Sequence, residues 1–300
     1  MDEITRAFYE LKFENSYLTK KGDEFQNFFA TIMEKRYPGD FIRVRPWGRV
    51  GDRKNDGILP SRRMLFQVYA PNELTAKEAI DKIQEDYSGA LPHWREHFDT
   101  WIFVHNSRQG LGPEVTAKLL ELDGGDVRVT HWGFEELRRA AFELDATDLA
   151  SLLGAAPSRR DMLDLGLETL APILDHIATM NPPAEPDLRP PPSDKIERNM
   201  LSDHVAVLLK AGMSRADLVR TYFKVQPTRR DEIAESLRVR YEAASRRGLS
   251  PDDVFADLQR CAGGDGVASP ARQSGVLAAL SYFFEECDIF ERDRDGGGQG

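Results

Sequence analysis

Cysteine is nearly absent from this chain: Cys261 and Cys287 stand far apart, with no C-x-x-C spacing. That excludes a disulfide framework and a zinc knuckle, and leaves buried small apolar side chains as the expectation for both. The six histidines form no H-E-x-x-H motif, which argues against a zincin, and His105, at the end of an apolar run, reads as a structural hydrogen-bonder. There is no G-x-x-x-x-G-K-[ST] loop, so any ATP hydrolysis belongs to another chain. No apolar run approaches the ~20 residues of a membrane span. The opening MDEITRAFYELKF lacks the basic start and apolar middle of a secretory signal, so a cytoplasmic protein without membrane association is expected.

What is present suits a globular chain, with 41% hydrophobic and 30% charged residues. A length of 300 residues leaves room for about two domains. The net charge of −10 argues against a surface that wraps nucleic acid as a whole. Locally the balance reverses: Arg43, Arg45, Arg49, Arg53, Lys54, Arg62 and Arg63 face only Asp52 and Asp56 across residues 43–63. A segment of that kind attracts phosphates by counterion release, and a solvated charged hairpin is its plainest alternative. Trp47, beside Arg45 and Arg49, is placed to stack on a base, although core packing is the commoner role of the four tryptophans.

Hydrophobic periodicity orders the first half. Phe25, Phe28, Phe29, Ile32 and Met33 recur at helical spacing, and residues 41–47 and 63–70 alternate at period two as strands. Thr75 is the expected N-cap of a helix whose face carries Ala76, Ala79, Ile80, Ile83 and Tyr87. Residues 100–106 read as a central strand, followed by a helix over 114–122, a strand over 127–132 and a helix from Phe134. The order implies an α/β domain on a mixed sheet over residues 1–145. A helical connector and proline-rich linker are expected over 146–193, the connector's helix over 158–180, then an all-α domain over 194–292 and a disordered tail over 293–300.

Cutting a phosphodiester requires a hard divalent cation held by oxygens and a cationic group near the reacting phosphate. Glu24 stands on the first turn of the helix that carries Phe25 and Phe28, Asp56 near the start of a strand, and Gln67 on the next strand eleven residues later. This order and spacing over residues 22–106 resemble the PD-(D/E)XK restriction-endonuclease-like nucleases. The resemblance implies that Glu24, Asp56 and Gln67 hold Mg²⁺ or Mn²⁺, with Arg49, Arg53, Lys54 and Arg45 on the nucleic acid, DNA in the first instance. Two positions depart from the pattern. Gln67 offers an amide oxygen without negative charge, and Tyr69 stands where the catalytic lysine is expected; a phenol with pKa near 10 carries no positive charge. Related nucleases supply that lysine from the following helix, where Lys77 and Lys82 are available; an ion pair of Lys82 with Glu78, Glu85 or Asp86 is the alternative. A second alternative is that Asn55-Asp56-Gly57 is only a hairpin turn.

In the second half, residues 195–205 (KIERNMLSDHV), 220–225 (RTYFKV) and 281–291 (SYFFEECDIFE) resemble the C-terminal helical domains of ABC-three-component defence systems. Phe283, Cys287 and Phe290 fall on one side if that last string is helical. This resemblance implies an antiviral or anti-plasmid effector that works with an ABC-type ATPase and a small middle-component protein; a homo-oligomer is allowed by the sequence, which carries no mark of oligomeric state. Controlled hydrolysis of nucleic acid is the activity implied, and a nuclease-like module that binds nucleic acid or partner proteins without chemistry is the alternative.

Overall fold

The computed structural model describes residues 1–45, 53–180, 195–263, 269–286 and 289–290, without the side chains of 179 and 180. Trp47 and Arg49, the proline-rich stretch over 182–192, Cys287 and the tail lie outside the described residues. Backbone contacts divide the chain into a unit of Ser16–Leu152 and a unit of Met1–Asn15 with Leu153–Gly300.

The first unit contains the end of α1 (Glu3–Thr19) and then α2 (Gly22–Arg36), whose buried Phe25, Phe28, Phe29, Ile32 and Met33 are the expected stripe. Asp23 and Glu24 in its first turn, and Lys35 and Arg36 in its last, complement the helix dipole. Three strands follow as an antiparallel meander: β1 (Ile42–Arg43), β2 (Gly57–Leu59) and β3 (Met64–Tyr69). A crossover through α3 (Ala76–Trp94) leads to β4 (Thr100–His105), parallel to β3. A second crossover through α4 (Pro113–Asp123) leads to β5 (Arg128–Trp132), parallel to β4, giving a five-stranded sheet in the order 1-2-3-4-5. Helices α5 (Phe134–Phe142) and α6 (Ala146–Leu153) come next. Thr75 caps α3 as expected, its hydroxyl accepting from the Glu78 N–H.

Strand alternation sends successive side chains to opposite layers. Leu65, Trp101 and Phe103 bury against Ala79 and Ile83 of α3 and Val115 and Leu119 of α4. Phe66, one residue on, meets Phe29 of α2, Phe41 and Trp132 in tilted or edge-on ring contacts. Each of these large side chains contributes about 1.5–3 kcal/mol by leaving water, so the sheet carries a core on both faces.

The second unit holds no strand among its described residues. It comprises α7 (Arg159–Leu163), α8 (Leu167–Met180), α9 (Lys195–Arg198), α10 (Asp203–Met213), α11 (Ala216–Val225), α12 (Pro227–Arg246), α13 (Pro251–Gly263) and α14 (Pro270–Glu285). Every residue of α14 from Gln273 to Phe284 is buried, and it packs against α7, α8, α10, α11 and α13, which makes it the central helix. The helix expected over 158–180 is two helices, broken at residues 164–166, and α8 packs in this unit against α12, α13 and α14 rather than serving as a connector. Helix α14 stops at Glu285, so Phe290 is not on its face: it folds back with φ 65° and its ring lies 5.6 Å from that of Phe284.

Candidate functional site

Asp56 sits where the meander begins to pair. The Arg53 and Lys54 backbone before it is left-handed, at φ 54° and 62°. For non-glycine residues each such conformation costs about 1–3 kcal/mol and persists only where the surroundings hold it. Asp56 then joins the ladder: its N–H donates to the Phe66 carbonyl at 3.0 Å, and its carbonyl accepts from the Val44 N–H at 3.2 Å. Its side chain extends that pairing, Oδ2 accepting from the Val68 N–H at 2.7 Å while Oδ1 accepts from the Gln26 amide of α2. Gly57 is the first residue of β2, paired with Phe66, and a Cβ there would lie 2.3 Å from the Phe41 ring. The Asp-Gly pair therefore leads into a strand under an aromatic lid and is not a hairpin turn.

Asp56 lines a cleft of about 380 Å³ with Asp23, Gln26 and Asn27 of α2 and Arg43, Val44 and Arg45 from β1 and its end. Helix phase explains the α2 residues, since positions i, i+3 and i+4 share a face. Glu24 falls one step round the helix, exposed, and lines a separate cleft of about 370 Å³ with Lys20, Phe28, Thr31, Ser151 and Leu152. Gln67 lines neither; it is buried on β3 with its amide oxygen unpaired. Of the three side chains predicted to share one cation, Asp56 and Glu24 thus line different clefts and Gln67 lines neither. Among the described residues no group of three His, Cys, Asp or Glu side chains is placed to hold a metal ion. Of Glu24, Asp56 and Gln67, the first lines another cleft, the last is an uncharged amide, and Asp56 accepts from two N–H donors.

The lysine question resolves around a residue the sequence does not single out. Asp86 of α3 is fully buried, and Lys82 Nζ meets its carboxylate at 2.9 and 3.0 Å while Lys54 Nζ approaches to 3.1 Å. Lys54 also pairs with the exposed Glu85, which raises its pKa first, Asp86 adding to the effect against the opposing cost of burial. Lys82 is therefore an ion-pair partner of Asp86, and Lys54 is anchored on α3. Spacing could have exposed Asp86, because it continues the buried stripe of Ala79 and Ile83. Lys77 is exposed on the first turns of α3. Tyr69 is half-buried against Phe103, and burial, with Glu78 nearby, raises its phenol pKa, so it stays neutral. Arg53 and Arg45 are exposed, Arg45 within the Asp56 cleft.

His105 does act as a structural hydrogen-bonder. Its Nδ1 accepts from the Ser107 N–H at 3.2 Å, so the proton resides on Nε2, which faces His131 Nδ1 at 3.1 Å. Burial, and secondarily His131, lowers its pKa to about 3. His93 and His97, four residues apart at the end of α3, join no third ligand among the described residues.

In the helical unit the distinctive strings meet. Lys195 is buried, and its ammonium donates to the Phe284 carbonyl at 2.8 Å and to the Ile289 carbonyl, closing the end of α14. Phe223 of α11 packs on Tyr282 and Phe283. Glu285 and Glu286 pair with Arg220, and Glu286 with Arg230, so these carboxylates hold arginines rather than a metal. Residues 168–291 match the C-terminal domain 10 of the ABC-three component (ABC-3C) systems. The matched region runs from α8 to α14, and it contains the buried Lys195, Phe223, Tyr282 and Phe283 of the quoted strings. Its Asp257 is held by Arg240, Arg247 and Arg260; burial alone would raise that carboxyl, and the arginines outweigh it and lower the pKa. No curated protein and no solved structure matches the chain. Cys261 is half-buried, and burial raises its thiol pKa. Among the described residues no helix is long and apolar enough to cross a membrane.

Proposed function

We propose that this chain is the effector component of an ABC-three component defence system, partnered with an ABC-type ATPase and a small middle-component protein. Its α/β unit is a nuclease-like module that binds nucleic acid through the Asp56 cleft. The observation that carries this reading is the lining of that cleft: Arg43 and Arg45 stand beside the amides Gln26 and Asn27. Guanidinium and amide groups are the donors that seat phosphate oxygens. The helix, meander, helix and parallel strand around it support the nuclease-like comparison at the level of element order. Asp56 serves the ladder and the cleft wall by accepting from Val68 and Gln26.

Fluorescence anisotropy with a labelled DNA duplex in EDTA tests the binding. Wild type is expected to bind with strong salt dependence, and Arg43→Ala with Arg45→Ala to lower the slope of log K against log salt by about 2. An unchanged slope would remove the cleft from the interface.

Metal-dependent hydrolysis is the second reading, and one observation favours it: Asp23 lines the cleft with Asp56, so two carboxylates face it. Incubation with plasmid and Mn²⁺, alone and with the partner components, separates the readings. Cutting that disappears in both Asp23→Ala and Asp56→Ala supports hydrolysis; intact plasmid throughout supports binding alone.

A further inference from the structure

The loop entering Asp56 is held in an unfavourable backbone conformation by contacts that converge on α3. Arg53 and Lys54 are both left-handed without being glycine. The Arg53 carbonyl accepts from the Trp94 indole N–H at 3.2 Å. The Lys54 side chain runs across Gly89, where a Cβ would lie 2.8 Å from its Cγ, and its ammonium reaches Asp86 at 3.1 Å and Glu85. Asn55, next in the chain, is fully buried with both amide atoms unpaired, so it does not supply the restraint.

A carboxylate removed from water retains its charge only if cations meet it there. Asp86 has two, Lys54 and Lys82, and only Lys54 belongs to another element. Glu85 is exposed and its pairing with Lys54 is screened by solvent, which leaves Asp86 as the firm end of the link. Only Asn55 separates Lys54 from Asp56, so the position of the one constrains the other.

We propose that Asp86 is a positioning residue for the Asp56 cleft: by holding the Lys54 ammonium against α3 it fixes the left-handed backbone at 53–54 and sets where Asp56 enters the sheet. The Lys82 ammonium secures Asp86 in turn. The consequence for nucleic acid rests on the reading of the cleft given above; the effect on the loop does not.

Limited trypsin digestion of the full chain tests the positioning, because Arg53 and Lys54 are themselves cleavage sites. Cleavage of a folded protein follows the population of its locally opened state. Asp86→Asn is expected to speed the cuts after Arg53 and Lys54 by about tenfold while cuts elsewhere keep their rate. Lys54→Met, which leaves Asp86 paired with Lys82, is expected to speed the cut after Arg53 to the same extent, and the double variant to add nothing further. Rates within twofold of wild type in Lys54→Met overturn the proposal, as does a rise spread evenly along Ser16–Leu152 in both variants. Duplex anisotropy on the same proteins adds the functional arm: weaker binding in Asp86→Asn with wild-type binding in Lys54→Arg is expected, and equal binding in all overturns the link to the cleft. A wild-type chain that binds no duplex would defeat the nucleic-acid reading, while the digestion pattern still decides the role of Asp86.

Discussion

Asp56 accepts from the Val68 N–H and the Gln26 amide, and this makes its substitutions informative at the scale of one residue. Asparagine in its place can still accept from the Val68 N–H, and the Gln26 amide can turn to meet it, so Asp56→Asn is expected to cost about 1 kcal/mol or less. Alanine leaves the Val68 N–H unpaired, at about 1–3 kcal/mol. Urea melts followed by circular dichroism check the order. His105 sets a pH dependence in the same unit. Its folded pKa of about 3 lies below the ordinary value of 6.5, so between those values the unfolded chain binds the extra proton. Its contribution to stability is complete above pH 6.5 and falls with pH below it, by up to about 1.4 kcal/mol per pH unit. Melts at pH 7 and pH 5 should differ in wild type and converge in His105→Asn. Asp56 was legible in the sequence because its neighbours bear the pattern. Asp86 was legible only in its spacing, which continues the stripe of Ala79 and Ile83; its role was not, because a carboxylate four residues after a lysine reads as a solvated pair unless the facing Lys54 is known, and that contact joins distant parts of the chain.

Among the elements, those with strong periodicity were legible. The stripe of α2, the cap of α3 and the buried run of β4 each repeat one local rule, and each formed where expected. Helix phase at a terminus was not legible at the needed precision. One step of about 100° separates Asp23, in the Asp56 cleft, from Glu24, in another, and both fit the first turn equally well as acidic residues. The end of α14 was misjudged because nothing in SYFFEECDIFE breaks a helix; Lys195, remote in sequence, closes it. Two substitutions test these elements. Gly57→Ala must displace the Phe41 ring from β2, at an expected cost of about 1–3 kcal/mol in the melting of the sheet unit. Lys195→Met leaves the Phe284 and Ile289 carbonyls without their donor and should cost the helical unit about 1–3 kcal/mol. Differential scanning calorimetry detects either loss; an unchanged melt for Lys195→Met would show that the carbonyls need no such closure.

At the scale of the whole molecule, an acidic chain with a net charge of −10 carries a local cleft lined by Arg43 and Arg45, and its residues 168–291 match the C-terminal domain 10 of the ABC-3C systems. On the proposed reading, the overall charge would repel nucleic acid from the rest of the surface, confining attraction to the cleft and making it steeply salt-dependent. The most direct test is a titration of labelled duplex with wild type and Asp56→Asn, each in EDTA and in Mn²⁺, with product length read on a denaturing gel. The expected result is equal affinity in all four conditions and a duplex of unchanged length. Binding that requires Mn²⁺, or strands shortened by wild type in Mn²⁺ and left whole by Asp56→Asn, would contradict it.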